Sequence, residues 1–333
     1  MNDSPPVVFR LAFGSGVGLG HLARCAALAA ALGEHGVECI LWTDSERTGV
    51  PFDMLAPFAR VLAGGEPPPA CAWLVVDDYA PADRELVEMK AAARGADGGE
   101  PRLLVIDDEG RRRLRAADLV VNPRLGLEKS PYPADVPALL GERYALLRPG
   151  LMQPDQVQLP FPPDVEPVLI SMGGADPLGL TAVALDVLAS LDAVRFAPVV
   201  VRPAHLPGRR DLRAALDRFA AGVWLEALDA RAFAGWARQC RRGIIGAGGT
   251  VYELGFLRVP FVAVIGADNQ RLFAWEVSQR WGVPVVDGFA DPAAGIRAAF
   301  ETLMREPERV SFPGLDGRGA ERVARKMLRI GAA

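Results

Sequence analysis

Phe13-Gly14-Ser15-Gly16-Val17-Gly18-Leu19-Gly20-His21 joins a β-rich apolar run, residues 7–13, to an alanine-rich amphipathic stretch over about residues 19–34. Strand, glycine turn and helix in that order open an α/β sheet, and the pattern continues. Residues 37–42 form a second strand run ending at Thr43-Asp44. Residues 72–76 run into Asp77-Asp78-Tyr79 ahead of a helical stretch over 81–94. Residues 102–106 lead into Asp107-Asp108, and residues 119–121 into Asn122. Nearly continuous apolar strands alternating with helices indicate a parallel sheet covered on both faces. Right-handed crossovers place every strand's carboxyl end on one edge, where these turn residues are expected to gather.

Residues 148–167 hold six prolines and interrupt the pattern. A second α/β series follows, with strand runs at 168–171, 196–201, 243–245 and 260–265, a helix from about Leu180, and a last helix over 322–330. The expected organisation is an N-terminal Rossmann-like domain over residues 1–150, a linker over 151–167 and a C-terminal Rossmann-like domain over 168–333, with parallel sheets facing a central cleft. The length of 333 residues agrees, at roughly 150 residues per domain.

Charge and composition exclude several classes. With 37 basic and 41 acidic residues the net charge is −4, too little positive charge for a broad nucleic-acid surface. Cys25, Cys39, Cys71 and Cys240 show no CxxC spacing and read as reduced, buried thiols. The first residues lack a basic signal-peptide region, and no apolar run approaches the ~20 residues of a membrane span. A cytoplasmic address is the expectation. Arg111-Arg112-Arg113 with Arg115 reads as a solvated helix face.

The first glycine loop lets backbone N–H groups approach a ligand, and a phosphate is favoured at the helix N-terminus that follows it. Its spacing is not that of a dinucleotide fingerprint: G-x-G-x-x-G from Gly14 meets Leu19, and from Gly16 meets His21. His21 stands in the first turn of the helix, where a neutral imidazole can serve as a general base or simply cap the loop. His35 and His205 carry no motif and read as surface residues.

Gly246-Ala247-Gly248-Gly249-Thr250 repeats the strand–turn–helix unit in the second half. Gly248, Gly249 and Thr250 would offer N–H groups and a hydroxyl to a diphosphate, and Glu253, one turn on, a carboxylate to the two hydroxyls of a ribose. Met172-Gly173-Gly174 supplies a second glycine wall. Asn269 and Gln270, after the strand run at 260–265, suit sugar hydroxyls or N-acyl groups, while Asp268 or Asn269 could equally cap a helix. Asp77, Asp78, Asp107 and Asp108 could gather Mg²⁺ or could cap helices and hold loops, and Tyr79 could reach into the cleft.

These residues resemble the UDP-sugar hydrolases of the pseudaminic acid pathway, which cleave UDP-2,4-diacetamido-2,4,6-trideoxy-β-L-altropyranose. The family's GLGHxxRCxxLA element stands here from Gly18 to Ala29, with His21, Arg24 and Cys25 in register. Val75-Val76-Asp77-Asp78-Tyr79, Val105-Ile106-Asp107-Asp108 and Gly141-Glu142-Arg143-Tyr144-Ala145-Leu146-Leu147-Arg148 match its next elements. Ser171-Met172-Gly173-Gly174-Ala175-Asp176-Pro177, the AGGTxxE element from Ala247 to Glu253, Asn269-Gln270 and a closing DGxGAxRV from Asp316 follow in order. The family often has GGTTxxER where this chain has Gly248-Gly249-Thr250-Val251-Tyr252-Glu253-Leu254, and its LLR-x-EF becomes Leu146-Leu147-Arg148-Pro149-Gly150-Leu151.

That family is similar to the two-Rossmann-domain glycosyltransferases of GT-B architecture, and the resemblance implies a specific chemistry. The nucleotide would sit on the second domain, held through Gly173, Gly174, Gly248, Gly249, Thr250, Glu253 and Gln270, with Gly18, Gly20 and Arg24 facing it. His21 would act as general base on water, with Tyr79 and Asn269 on the sugar or the water. Neither metal nor cofactor is implied, and no obligate protein partner. The implied reaction inverts the anomeric carbon and releases UDP and free sugar for nonulosonic acid biosynthesis. Two other functions fit the same motifs: a glycosyltransferase, whose lipid-facing patch would have only Pro51-Phe52-Asp53-Met54-Leu55 as candidate, and a non-catalytic nucleotide-sugar binder with a structural His21.

Overall fold

A computed structural model describes residues 5–14, 17–94, 99–203, 206 and 208–331. Ser15, Gly16 and His205 therefore lie outside the described residues. Among the described residues thirteen strands run as β1 (Val7–Leu11), β2 (Cys39–Thr43), β3 (Arg60–Ala63), β4 (Trp73–Asp77), β5 (Arg102–Ile106), β6 (Leu119–Asn122), β7 (Ala138–Leu140), β8 (Glu166–Ser171), β9 (Phe196–Arg202), β10 (Val223–Glu226), β11 (Arg242–Gly246), β12 (Phe261–Ile265) and β13 (Val285–Asp287). The helices among the described residues are α1 (Gly20–Gly33), α2 (Phe52–Leu55), α3 (Asp83–Ala92), α4 (Leu180–Asp192), α5 (Arg209–Leu216), α6 (Ala230–Gln239), α7 (Thr250–Leu257), α8 (Arg271–Trp281), α9 (Pro292–Arg305) and α10 (Gly319–Gly331).

The strands form two parallel sheets. One has the order β3-β2-β1-β4-β5-β6-β7 and the other β10-β9-β8-β11-β12-β13. Each contains the strand order of a Rossmann domain, winding outward in both directions from its first strand. Side chains alternate between two buried faces. Val7, Phe9 and Leu11 point into one core while Val8 points into another, and Leu169 and its neighbours Val168 and Ile170 divide in the same way. Burial on both faces explains why these strands read as continuous apolar runs.

Two segments join the lobes. Residues 145–148 run extended, so successive side chains face opposite ways: Leu146 enters the first lobe's core, and Ala145 and Leu147 enter the second's. The last helix returns to the first lobe. Ala320, Val323, Ala324 and Met327 recur at helical spacing and pack into the core that contains α1. Gly319 permits the approach, since a Cβ there would lie 2.1 Å from the Ala145 carbonyl oxygen.

The arginine-rich run is not a helix. Residues 111–115 form a loop in which Arg112 donates to the carbonyls of Asp78 (2.9 Å) and Pro81 (3.3 Å). Within the segment considered for lipid contact, Phe52 is exposed, but Met54 is buried and Asp53 faces an arginine. Among the described residues no helix is long and apolar enough to cross a membrane. All four cysteines are free and buried, and His35 is exposed.

Candidate active site between the lobes

In a doubly wound sheet the crevice opens at the carboxyl ends of the strands, where the winding direction reverses. In the first lobe that point lies between the neighbours β1 and β4, whose last residues Leu11 and Asp77 are paired. His21 follows β1 and Asp77 ends β4. Fifty-six positions apart in sequence, they meet: His21 Nδ1 lies 2.7 Å from Asp77 Oδ1. With Nδ1–H donating to the carboxylate, the Nε2 lone pair is left as the acceptor.

Arg24, one helical turn beyond His21, locks the carboxylate. Its Nε donates to Asp77 Oδ2 (2.6 Å), its Nη2 to Asp77 Oδ1 (2.5 Å) and its Nη1 to Asp108 Oδ2 (2.6 Å). Cys25 Sγ adds a weaker contact to Asp77 Oδ2 at 3.6 Å. Burial opposes ionisation of Asp77, but the Arg24 guanidinium and the hydrogen bonds from Arg24 and His21 outweigh it and hold the carboxyl below the usual carboxylate range. Arg24 thus has Asp77 and Asp108 as partners in this structure, and both are protein carboxylates.

Tyr79 stands edge-on to His21, with ring centroids 5.0 Å apart. Its hydroxyl donates to Asp108 Oδ2 at 3.1 Å. Burial, with the neighbouring carboxylates, raises its pKa and keeps the phenol neutral. The two remaining carboxylates hold loops. Asp78 accepts from the Ala80 amide (2.9 Å), and Asp107 accepts from the Tyr132 hydroxyl (2.9 Å) and from the amides of Glu109 and Gly110.

The second lobe repeats the geometry at its own reversal point, between β8 and β11. Gly173 and Gly174 follow β8; Gly248 and Gly249 follow β11, and Thr250 opens α7. A Cβ at Gly173 or at Gly249 would meet no atom within 4 Å, so both glycines border open space. Gly174 does the opposite. A Cβ there would lie 2.4 Å from the Leu19 amide nitrogen and 2.9 Å from the Cα of Gly18, so the two lobes' glycine turns touch backbone to backbone. Gly18 takes a positive φ of 82° as it closes its own turn onto Gly14, and Gly20, the first residue of α1, again borders open space.

Gln270 accepts from the Gly266 amide (2.8 Å) with its Oε1, and its amide nitrogen comes near Gly248. Asn269 is exposed in the short 3₁₀ turn Asp268–Gln270. Asp268 pairs with Arg271 rather than capping the helix with its side chain. Glu253 Oε1 accepts from Arg148 Nε (3.2 Å) and Nη2 (3.0 Å).

Sequence reading passed over two residues of this region. Tyr252 lies on α7 yet donates its hydroxyl to the Pro123 carbonyl of the first lobe at 2.9 Å. Burial, with Asp108, Glu276 and Glu142 close by, raises its pKa, and Arg24 acts in the opposite sense. The close approach of Gly174 to Gly18 and Leu19, two residues before His21, places the His21 cluster beside the second lobe. Arg124 crosses the same boundary to pair with the buried Glu276. Neither had a local signal, since both contacts exist only between lobes.

With two Rossmann-like lobes meeting through their glycine turns, the neighbours among solved structures agree along the whole chain. The Neisseria meningitidis UDP-GlcNAc 2-epimerase bound to UDP-GlcNAc is similar at a TM-score of 0.66 and 14% identity, covering 97% of this chain and 100% of that one. The architecture is GT-B. The S. aureus MnaA–UDP co-structure shares this GT-B fold at a TM-score of 0.63 and 14% identity, over 98% of this chain and 96% of that one. Acinetobacter baumannii MurG does so at 0.60 and 14%, over 98% and 100%. No family model and no curated protein matches the sequence.

Proposed function

We propose that the protein hydrolyses a UDP-linked acetamido sugar at its anomeric carbon, the substrate being a 2,4-diacetamido-2,4,6-trideoxy hexose of the pseudaminic type. The observation that carries this reading is the Asp77–His21 pair beside the interlobe boundary, with α7 of the other lobe beginning after Gly249, which borders open space. Two structures of similar fold hold UDP or UDP-GlcNAc, which supports a uridine nucleotide here. The ordered sequence elements shared with the pseudaminic hydrolases support the choice of sugar and of water as acceptor.

Under this reading the roles follow from the contacts. Asp77 fixes the Nδ1–H tautomer, and Arg24 keeps Asp77 charged and in place. A water molecule bound at His21 Nε2 gives up its proton as its oxygen attacks C1. The bond from C1 to the β-phosphate oxygen breaks, its electron pair leaves with UDP, and the imidazolium returns its proton to solvent. Attack opposite the departing UDP inverts the anomeric centre. The N–H groups opening α7, with the Thr250 hydroxyl, stabilise the departing diphosphate's charge, so no acid catalyst is required. Glu253 takes the ribose hydroxyls, and Asn269 and Gln270 the sugar's hydroxyl or acetamido groups. Tyr79, whose proton goes to Asp108, offers an acceptor to the sugar or the water.

UDP release from UDP-acetamido sugars without any added acceptor tests this. His21→Asn is expected to lower the rate by about 10²–10⁴-fold, the usual worth of a general base, with UDP affinity nearly unchanged. Release that requires an acceptor would redirect the reading to sugar transfer, and undiminished turnover by the variant would remove His21 from the chemistry.

A further inference from the structure

Arg148 is nine-tenths buried, 6% exposed, on the extended segment that joins the lobes. Its guanidinium is shared between two carboxylates of different lobes. Nε and Nη2 go to Glu253 Oε1 on α7, while Nη1 donates to Asp53 Oδ2 on α2 at 3.1 Å. Asp53 Oδ2 also accepts from the Ala230 amide, at the start of α6 in the second lobe (2.9 Å), and Asp53 Oδ1 is buried without a partner. An aspartate of the first lobe is therefore lodged in the second, with the arginine between it and Glu253.

A carboxylate has about four lone-pair sites, two on each oxygen. Arg148 uses both of its Glu253 contacts on Oε1, and the planar fork fixes the carboxylate's rotation. We infer that Arg148 is a positioning residue for nucleotide recognition: it commits one oxygen of Glu253 and presents the other to the ribose hydroxyls, and through Asp53 it ties that orientation to the first lobe. The inference rests on the ribose role given to Glu253. A lysine at 148 would keep the charge and lose the fork, leaving Glu253 free to rotate and its oxygen no longer aimed.

The test compares the affinities of UDP and 2′,3′-dideoxy-UDP by titration calorimetry in the full-length protein. Their ratio isolates the hydroxyl contacts, and a general loosening of the fold would weaken both ligands alike. The parent protein is expected to prefer UDP by about 10–100-fold, as hydrogen bonds to a charged group imply. Glu253→Gln should lower that preference sharply, and Arg148→Lys by at least about fivefold, with the dideoxy ligand binding as before. Should Arg148→Lys not fold, Asp53→Ala carries the test, because it removes the first-lobe acceptor of Arg148; a ratio reduced about twofold or more is expected.

A parent protein that binds both ligands equally would overturn the ribose role of Glu253, and this inference with it. A preference lost in Glu253→Gln but intact in folded Arg148→Lys, or in the Asp53→Ala substitute, would leave that role standing and overturn the inference alone.

Discussion

An imidazole accepts a proton only at a nitrogen whose lone pair is free, and Asp77 determines which nitrogen of His21 that is. Replacing the carboxylate with an amide allows the ring its other tautomer while keeping the shape of the site. Asp77→Asn is therefore expected to lower kcat by about 10²–10⁴-fold with UDP affinity little changed, read from steady-state rates and a UDP titration. Equal losses in kcat and UDP binding would instead mean a collapsed site. The same residue predicts a pH dependence. Burial works against the Asp77 charge, yet Arg24 and His21 hold its folded pKa below its unfolded value of about 3.9. A carboxylate shifted this way adds stability above the unfolded pKa and loses it as pH falls through the folded one. In urea melts, the deficit of Asp77→Asn should thus be full at neutral pH and shrink below about pH 4. At this scale His21 was legible because a glycine turn announced it, and Arg24 only through the GLGHxxRC element of the resemblance. The choice of Asp77 among four strand-end aspartates was not legible. The pairing of β1 with β4 decides it, and no local pattern carries that information.

At the scale of elements, a helix start bordered by open space is the feature that makes α7 a candidate phosphate site. Gly249 has a φ of −57°, ordinary for any residue, and a Cβ there meets nothing in the protein. Gly249→Ala should accordingly melt at or slightly above the parent temperature, since a compatible alanine gains about 0.4–1 kcal/mol through the unfolded chain. If a diphosphate fills that space, the added methyl should weaken UDP by about tenfold or more, because donor contacts at close range tolerate little displacement. Unchanged UDP affinity would clear the α7 start of that role. The sequence located the central strands of both sheets from their apolar runs, and the strands it passed over are β3, β7, β10 and β13. All four are sheet edges, short and largely half-exposed. An edge strand is covered on fewer sides, so it lacks the continuous apolar signature that marked the others.

The whole molecule is two lobes whose reversal points face one another, held by contacts that neither lobe contains alone. The alternation of Ala145, Leu146 and Leu147 between cores, the return of α10 to α1, the Arg124–Glu276 pair and the Tyr252 hydroxyl on the Pro123 carbonyl all cross the boundary. The two-lobed plan was readable from the repeated strand–glycine–helix units. The cross-lobe pairs were not, because charge complementarity between distant residues leaves no trace in spacing. On the proposed reading, this plan brings a base and a nucleotide-phosphate cradle together from opposite sides, so that water is directed at carbon rather than phosphorus. Turnover in H₂¹⁸O followed by mass spectrometry of the released UDP tests this most directly. Attack at C1 predicts UDP of unlabelled mass from the first turnover onward, whereas UDP carrying ¹⁸O would mean cleavage at phosphorus and would contradict the account.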